Sequence, residues 1–188
     1  KSMDPQINTD AEGSDVLRNL FEGLYNEDGD GQLVPGVATD HKVSEDGLTY
    51  TFTLRDDAQW SNGEPVTAQD FVYAWRRLAD PATASEYAWY MELMQVENAP
   101  EVIAGEMPPD RLGITALDDH TLEVRITTPL PYFPQMLVHG STFPVLQSVV
   151  EENGDDWTDA GTLVGNGAYT LTEHTLGERV VMEKNDTY

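Results

Sequence analysis

The sequence has no cysteine and no long hydrophobic run. Without cysteine there is no disulfide, no thiolate metal site and no cysteine nucleophile, although the cellular compartment stays open. No apolar run approaches the roughly 20 residues that a membrane-spanning helix needs. The first residues, KSMDP, do not form a signal-peptide pattern, so we expect a mature or trimmed product.

Positive charge is scarce as well. The chain has 10 Lys and Arg against 34 Asp and Glu, which gives a formal net charge of −24 over 188 residues. A surface that negative repels phosphate backbones and anionic lipids, which argues against nucleic-acid binding and against direct membrane binding. It also makes the folded state repel itself, and salt screens that repulsion. We therefore interpret the composition as an acidic surface adapted to high salt.

Catalytic and metal-binding motifs are missing too. The four histidines do not pair at metal-ligand spacing on a helix: His41, His120, His139 and His174. Ser141 follows His139 closely, but the Gly-x-Ser-x-Gly turn of a nucleophile elbow is absent. Neighbouring carboxylates such as Asp118 and Asp119 would point to opposite faces of a strand. We expect a protein that is not an enzyme and that needs no cofactor.

One acidic stretch, NEDGDGQLVPG at 26–36, resembles the start of an EF-hand calcium loop. Asn26, Asp28 and Asp30 alternate and Gly31 follows, as three ligands and a turn glycine would. The twelfth position should be a glutamate that binds with both oxygens, and it is Val37. We interpret the stretch as an acidic turn. A calcium-stabilised structural domain stays open as an alternative of another class.

Hydrophobic periodicity predicts the first elements. Ser14 is expected to cap a helix over 15–24 that has one apolar face. Residues 48–54, LTYTFTL, alternate strictly and predict a half-buried strand. Thr67 and Asp70 resemble a capping box, and the helix that they start should end at the Asp80-Pro81 step.

The rest of the chain mixes short helices with antiparallel hairpins. We expect helices within 85–95, 100–105 and 144–153, and hairpins over 112–127 and 168–184. Together these elements indicate a mixed α/β fold. Aromatic residues concentrate between 60 and 133, and periodicity does not tell whether they form the core or line a binding cleft.

Residues 47–90 resemble the signature region of periplasmic oligopeptide-binding proteins, the family 5 extracellular solute-binding proteins of peptide ABC transporters. The matching sequence is GLTYTFTLRDDAQWSNGEPVTAQDFVYAWRRLADPATASEYAWY. Three further segments extend the resemblance in register over the whole chain: NLFEGL, LGITALDDHTLEVRITTPLPYFPQMLVH and VGNGAYTLTEHTLGERVVMEKNDTY.

This resemblance implies a mixed α/β fold of periplasmic-binding-protein type II, in which two lobes close on a ligand at a hinge. Residues 1–22 and 147–188 would belong to the hinged ligand-binding lobe, and residues 23–146 would form an accessory α+β subdomain. Because family chains continue past the position of Tyr188, we expect an N-terminal fragment with a partial first lobe and no second lobe.

The resemblance also implies a function. A monomeric periplasmic protein, either free or anchored as a lipoprotein, would capture oligopeptides and deliver them to the permease subunits of an ABC importer. The peptide would lie extended, bonded through its main chain like an added strand. A dipeptide, a murein peptide or a nickel complex stays open as another ligand within the family.

Three residues match ligand-contact positions of the family. Tyr87 corresponds to a tyrosine that lines the peptide site. Thr9 and Ala11 correspond to two positions on the loop before the first helix, where close relatives carry a glutamate and a valine. The resemblance therefore implies that these three residues contact the ligand.

The charge imbalance predicts salt-dependent stability. We expect the urea midpoint of unfolding to rise by about 1 M between low and molar sodium chloride, equivalent to roughly 2 kcal/mol, because salt screens the self-repulsion of the folded state. Urea is the suitable denaturant because it carries no charge. A protein of similar size with a net charge near zero serves as the control, and an unchanged midpoint would contradict the salt-adapted interpretation.

Overall fold

A computed structural model describes residues 2–188. Its strands are β1 Tyr25–Glu27, β2 Leu33–Pro35, β3 Ala38–Val43, β4 Thr49–Leu54, β5 Ile114–Asp118, β6 Thr121–Arg125, β7 Tyr169–Thr175 and β8 Arg179–Lys184. Its α-helices are α1 Ala11–Leu20, α2 Ala68–Ala79, α3 Trp89–Leu93, α4 Ala99–Ile103, α5 Phe133–Met136 and α6 Gln147–Asn153. The predicted mixed α/β class is confirmed. No described helix is long and apolar enough to cross a membrane.

The central layer is an antiparallel sheet of four strands in the order β3-β4-β6-β5. As the alternation predicts, Tyr50, Phe52 and Leu54 of β4 are buried. Tyr50 lies opposite Val124 of β6, and Phe52 lies opposite Leu122. Since residues that face each other across two strands point to the same side of the sheet, this register gives the two central strands one shared apolar face.

Helix α2 covers this sheet and packs against β5. Its apolar side chains Phe71, Trp75 and Leu78 are fully buried. The predicted capping box is confirmed, because the Asp70 carboxylate accepts the Thr67 N–H at 2.9 Å. The helix ends at Ala79, and Asp80 is already extended.

The prediction for the first helix is wrong at both ends. Asp10 caps α1, not Ser14: its carboxylate accepts the Gly13 N–H at 2.6 Å. The Ser14 hydroxyl donates instead to the Asp10 carbonyl at 3.0 Å. The helix stops at Leu20, because Phe21 has extended dihedral angles. Apolar residues after Leu20 therefore reach the core from extended backbone rather than from a helix face.

The acidic stretch 26–36 covers the end of β1, the turn and β2 of the β1–β2 hairpin. The Asp28 carboxylate accepts the backbone N–H groups of Asp30 and Gln32, both at 2.9 Å. Its side chain thus closes the turn locally, as aspartates do in Asx turns. Within residues 2–188 no group of three or more histidine or acidic side chains is arranged to hold a metal ion.

The segment 165–167, Gly-Asn-Gly, crosses the end of α1 with no side chain between the two backbones. A Cβ atom on Gly165 would lie 2.1 Å from the Leu20 carbonyl oxygen, so only glycine fits there. The Asn166 side chain pairs with the N–H and the C=O of Glu22, both at 2.9 Å. These contacts join the C-terminal part of the chain, including the β7–β8 hairpin, to α1.

Asp70 carries a pH dependence that can be measured. It is 8% exposed, and its carboxylate also accepts the Trp60 Nε1–H at 3.0 Å. Burial raises the pKa of Asp70 to about 6, although the hydrogen bonds from Thr67 and Trp60 act in the lowering direction. Between pH about 4 and about 6, the folded state therefore keeps a proton on Asp70 that the unfolded state has already released. The stabilising contribution of Asp70 is complete below pH about 4 and is lost as pH rises through about 6.

We expect the stability of the wild type, relative to Asp70→Asn, to fall by at most about 3 kcal/mol between pH about 4 and pH about 7. Urea unfolding of both proteins across this range measures the difference. Asp56→Asn is the control, because Asp56 is exposed and its variant should follow the wild-type pH profile. A constant difference between wild type and Asp70→Asn would show that Asp70 does not titrate in this range.

Candidate functional site

The N-terminal segment is anchored by an ion pair with helix α2. The Arg77 guanidinium donates to both oxygens of the Asp4 carboxylate, at 3.1 and 2.7 Å. It also donates to Gln6 Oε1 at 2.6 Å and lies 5.8 Å above the ring of Trp157. The Arg77 and Asp4 side chains are only 16% and 9% exposed. One guanidinium therefore ties together the start of the chain, α2 and the region after α6.

Gln6 and Ser85 connect this anchor to the segment that carries Tyr87. The Gln6 side-chain amide donates to the carbonyls of Ser141 and Phe143, at 3.2 and 3.1 Å. The Ser85 hydroxyl donates to the Gln6 carbonyl at 2.5 Å, across 79 positions of sequence. The same hydroxyl accepts the Tyr87 N–H at 3.1 Å. The backbone next to Tyr87 is thus held against the N-terminal loop.

The structure places Thr9 and Ala11 on the surface of that loop. Both are exposed. Thr9 lines an open recess of about 330 Å³ together with Ala84 and Glu86, the two residues on either side of Ser85. Ala11 is the first residue of α1 and does not line this recess. The recess thus brings Thr9 close to the Tyr87 segment.

Tyr87 belongs to a group of four rings that we name the aromatic cluster: Tyr87, Trp89, Tyr90 and His139. The Tyr87 ring centroid lies 5.8 Å from that of Trp89 and 4.9 Å from that of His139. His139 stacks on Tyr90 with 4.5 Å between centroids and an interplanar angle of 24°. The Tyr90 hydroxyl donates to the Met136 carbonyl at 2.7 Å, and burial raises the pKa of Tyr90 to about 12.

His139 is hydrogen-bonded within its own loop. Its Nδ1 accepts the Ser141 N–H at 3.2 Å, and the Ser141 hydroxyl lies 2.6 Å from the same nitrogen. Burial lowers the pKa of His139, and the nearby Arg18 cation lowers it further. Because Nδ1 is the acceptor, the ring proton resides on Nε2. Ser141 itself is 2% exposed, so its hydroxyl serves this loop and is not open to solvent.

A second buried polar group lies at the junction between α1 and the Gly-Asn-Gly segment. Glu22 is 4% exposed, accepts a hydrogen bond from the Tyr188 hydroxyl and lies 3.7 Å from the Arg55 guanidinium. Burial raises the pKa of Glu22, while the Tyr188 hydrogen bond and Arg55 act in the lowering direction. Glu22 and Tyr188 also line an open recess of about 240 Å³ beside this junction.

Sequence reasoning named Tyr87 but missed the residues that hold it. Gln6 contacts Arg77 and Ser85 across 71 and 79 positions of sequence, and no local pattern indicates such contacts. The excess of aromatic residues was the only signal for the aromatic cluster. It did not separate Trp89, which is exposed, from Trp75, which is buried.

Comparison with known proteins identifies relatives over the whole chain. Residues 32–188 match the family model for bacterial extracellular solute-binding proteins, family 5 middle region. The chain is 47% identical over 187 residues to the periplasmic murein peptide-binding protein MppA of Escherichia coli, and 48% identical over 188 residues to the periplasmic oligopeptide-binding protein OppA of Salmonella typhimurium. Each match covers 100% of this chain and 34% of the relative.

Solved structures agree with these matches. The Haemophilus influenzae OppA structure in complex with the peptide RPPGFSPFR superposes with a TM-score of 0.97 at 47% identity, covering 100% of this chain and 36% of that one. The predicted fold of periplasmic-binding-protein type II is therefore confirmed for the part that the chain spans. That part amounts to about a third of the length of its relatives.

The Arg77–Asp4 ion pair yields a stability prediction. Arg77→Met should lower the free energy of unfolding by about 3–5 kcal/mol, because it leaves the Asp4 carboxylate buried without a cation. Arg77→Lys should lower the free energy of unfolding by less, since lysine keeps the positive charge but cannot donate to both carboxylate oxygens of Asp4 in the same way. Urea unfolding measures both variants.

Arg179→Ala is the matched control. Its partner Glu173 is 3.7 Å away, and the two side chains are 66% and 48% exposed. Removing this exposed pair should change stability by less than about 1 kcal/mol. Similar losses for Arg77→Met and Arg179→Ala would contradict the anchoring role of Arg77.

Proposed function

Because the chain belongs to the bacterial extracellular solute-binding proteins of family 5, we propose that it captures oligopeptides in the periplasm for an ABC importer. In this proposal it is a binding protein without catalytic activity, and the permease subunits of the importer are its partners. Its net charge of −24 also disfavours nucleic acid as a ligand.

One observation carries the proposal. The Ser85 hydroxyl bonds to the Gln6 carbonyl at 2.5 Å and receives the Tyr87 N–H. It thereby joins two segments that match ligand-contact regions of the family. A site assembled from distant segments and held by partly buried hydrogen bonds suits ligand binding, because the binding groups are in place before the ligand arrives.

Each proposed contact residue has a separate role. The ring of Tyr87 provides a flat apolar wall with a polar hydroxyl at its end, a combination that suits partly hydrated ligand sites. Thr9 provides a hydroxyl on the rim of the recess. Ala11 is small and exposed at the start of α1, so it leaves room for a ligand side chain. An extended peptide would run past these groups and bond through its main chain.

We further propose that residues 1–22 and 147–188 form part of the hinged lobe and that 23–146 form the accessory subdomain. Helix α1 packs against the β7–β8 hairpin, and a recess between them is lined by Gly13 and Val16 on one side and by His174 and Val180 on the other. The four-stranded sheet and α2 lie entirely within 23–146. The Arg77–Asp4 ion pair would then lie between the two parts.

A murein peptide is the second candidate ligand, because one of the relatives is named as a murein peptide-binding protein. The two candidates differ in what co-purifies with the protein. An oligopeptide binder of broad preference carries many peptide masses, whereas a murein peptide binder carries one or a few related masses.

Native mass spectrometry of the natural-length protein, with the 188-residue chain beside it, tests the proposal. We expect adducts spread over the masses of short peptides. Tyr87→Ala should weaken the binding of a reference peptide about tenfold, because a wall residue of the site is lost. Tyr169→Ala removes an exposed tyrosine on β7 and should bind like the wild type. Folded protein that carries no adduct and binds no added peptide in calorimetry would refute the proposal.

A further inference from the structure

Trp89 differs from every other tryptophan of the chain in its exposure. Its side chain lies at the start of α3 and is 51% exposed, whereas the others are almost completely buried: Trp60 at 0%, Trp75 at 0% and Trp157 at 3%. Leaving an indole in water forgoes the free energy of burying a large apolar surface. A ligand that covers Trp89 would recover that energy.

Trp89 has an apolar neighbour on the same helix face. Leu93 follows four residues later, so it lies beside Trp89 one turn further along α3, and it is 50% exposed. On its inner side, the Trp89 ring lies 5.8 Å from the Tyr87 ring and 6.0 Å from the Tyr90 ring. The two exposed side chains therefore extend the wall that begins at Tyr87.

The rings behind this surface are held by stacking and by hydrogen bonds. Tyr90 stacks on His139 and donates its hydroxyl to the Met136 carbonyl. The backbone at Tyr87 is bonded to Ser85. Because Trp89 rests on rings that are already held in place, little side-chain freedom remains to be lost when a ligand covers it.

We propose that Trp89 and Leu93 form a subsite that accepts a bulky apolar side chain of the bound peptide. This inference rests on the proposed function, since Tyr87 marks where the peptide passes. Trp89 would then determine specificity: its indole contacts the ligand side chain, and Leu93 closes the far end of the subsite.

Charge offers a competing explanation for the same surface. Glu86 and Glu92 are exposed near Trp89 in sequence, and a basic side chain could combine a cation–π contact with these carboxylates. Exposed ion pairs contribute little and are screened by salt. The apolar contact depends instead on buried area and persists in salt. Salt therefore separates the two explanations.

The test compares three peptides that differ only in the central residue: Ala-Phe-Ala, Ala-Lys-Ala and Ala-Ala-Ala. Calorimetry on the natural-length protein measures their affinities for the wild type, Trp89→Ala and Trp89→Phe, at low and at molar sodium chloride. Leu117→Ala is the control, because Leu117 is 53% exposed on β5 outside the aromatic cluster. Tryptophan fluorescence is recorded in the same titrations.

We expect Trp89→Ala to weaken Ala-Phe-Ala binding about tenfold at both salt concentrations and to leave Ala-Ala-Ala nearly unchanged. Trp89→Phe should keep most of the affinity, and Leu117→Ala should keep all of it. In the wild type, Ala-Phe-Ala should shift tryptophan emission to shorter wavelength. The part of that shift that is lost in Trp89→Phe reports on Trp89, because Trp60, Trp75 and Trp157 are buried.

Other outcomes overturn the inference in distinguishable ways. Equal weakening of all three peptides would show that Trp89 supports the site without selecting a side chain. A preference for Ala-Lys-Ala that disappears in molar salt would assign the surface to a basic side chain. Peptide binding with no change in emission would place the ligand away from Trp89. Failure of the wild type to bind any peptide would instead refute the proposed function.

Discussion

The buried ion pair between Arg77 and Asp4 is the interaction on which the rest of the arrangement depends. Two charges with so little exposure are stable only when both are present and well aligned, because either one alone would remain buried without a partner. Arg77 also holds Gln6, and Gln6 holds the Ser85 hydroxyl through its carbonyl. The position of the Tyr87 segment is therefore set by a charge pair formed elsewhere, between the start of the chain and α2.

Local rules predicted the elements that carry strong local signals. The alternation at 48–54 and the capping box at Thr67 and Asp70 each involve contacts within a few residues, and both are present in the structure. The first helix shows where such rules fail. Asp10 and Ser14 are both suitable caps, and the periodic apolar residues continue beyond Leu20. The helix nevertheless ends at Leu20, and Glu22, two residues later, pairs with Asn166, 144 positions away. No local pattern contains that contact.

The candidate site was predictable only through resemblance to a family. Tyr87 is one of eight tyrosines, and nothing in the residues around it separates a ligand wall from a core side chain. The supporting residues Ser85 and His139 act through contacts that exist only after folding. Net charge, in contrast, is a sum over the whole chain and needs no structure, so composition alone predicted the acidic surface.

The junction at Gly165, Asn166 and Gly167 has a mechanical consequence. Two backbones touch there without intervening side chains, and paired hydrogen bonds hold Glu22 on one side, while Asn185 bonds to the Gly167 carbonyl at 2.8 Å on the other. Such a joint resists both bending and twisting, because any rotation would break several buried bonds together. Helix α1 and the β7–β8 hairpin, which are joined there, should therefore move together as one stiff body. A displacement of α1 should therefore be passed on to the β7–β8 hairpin almost unchanged.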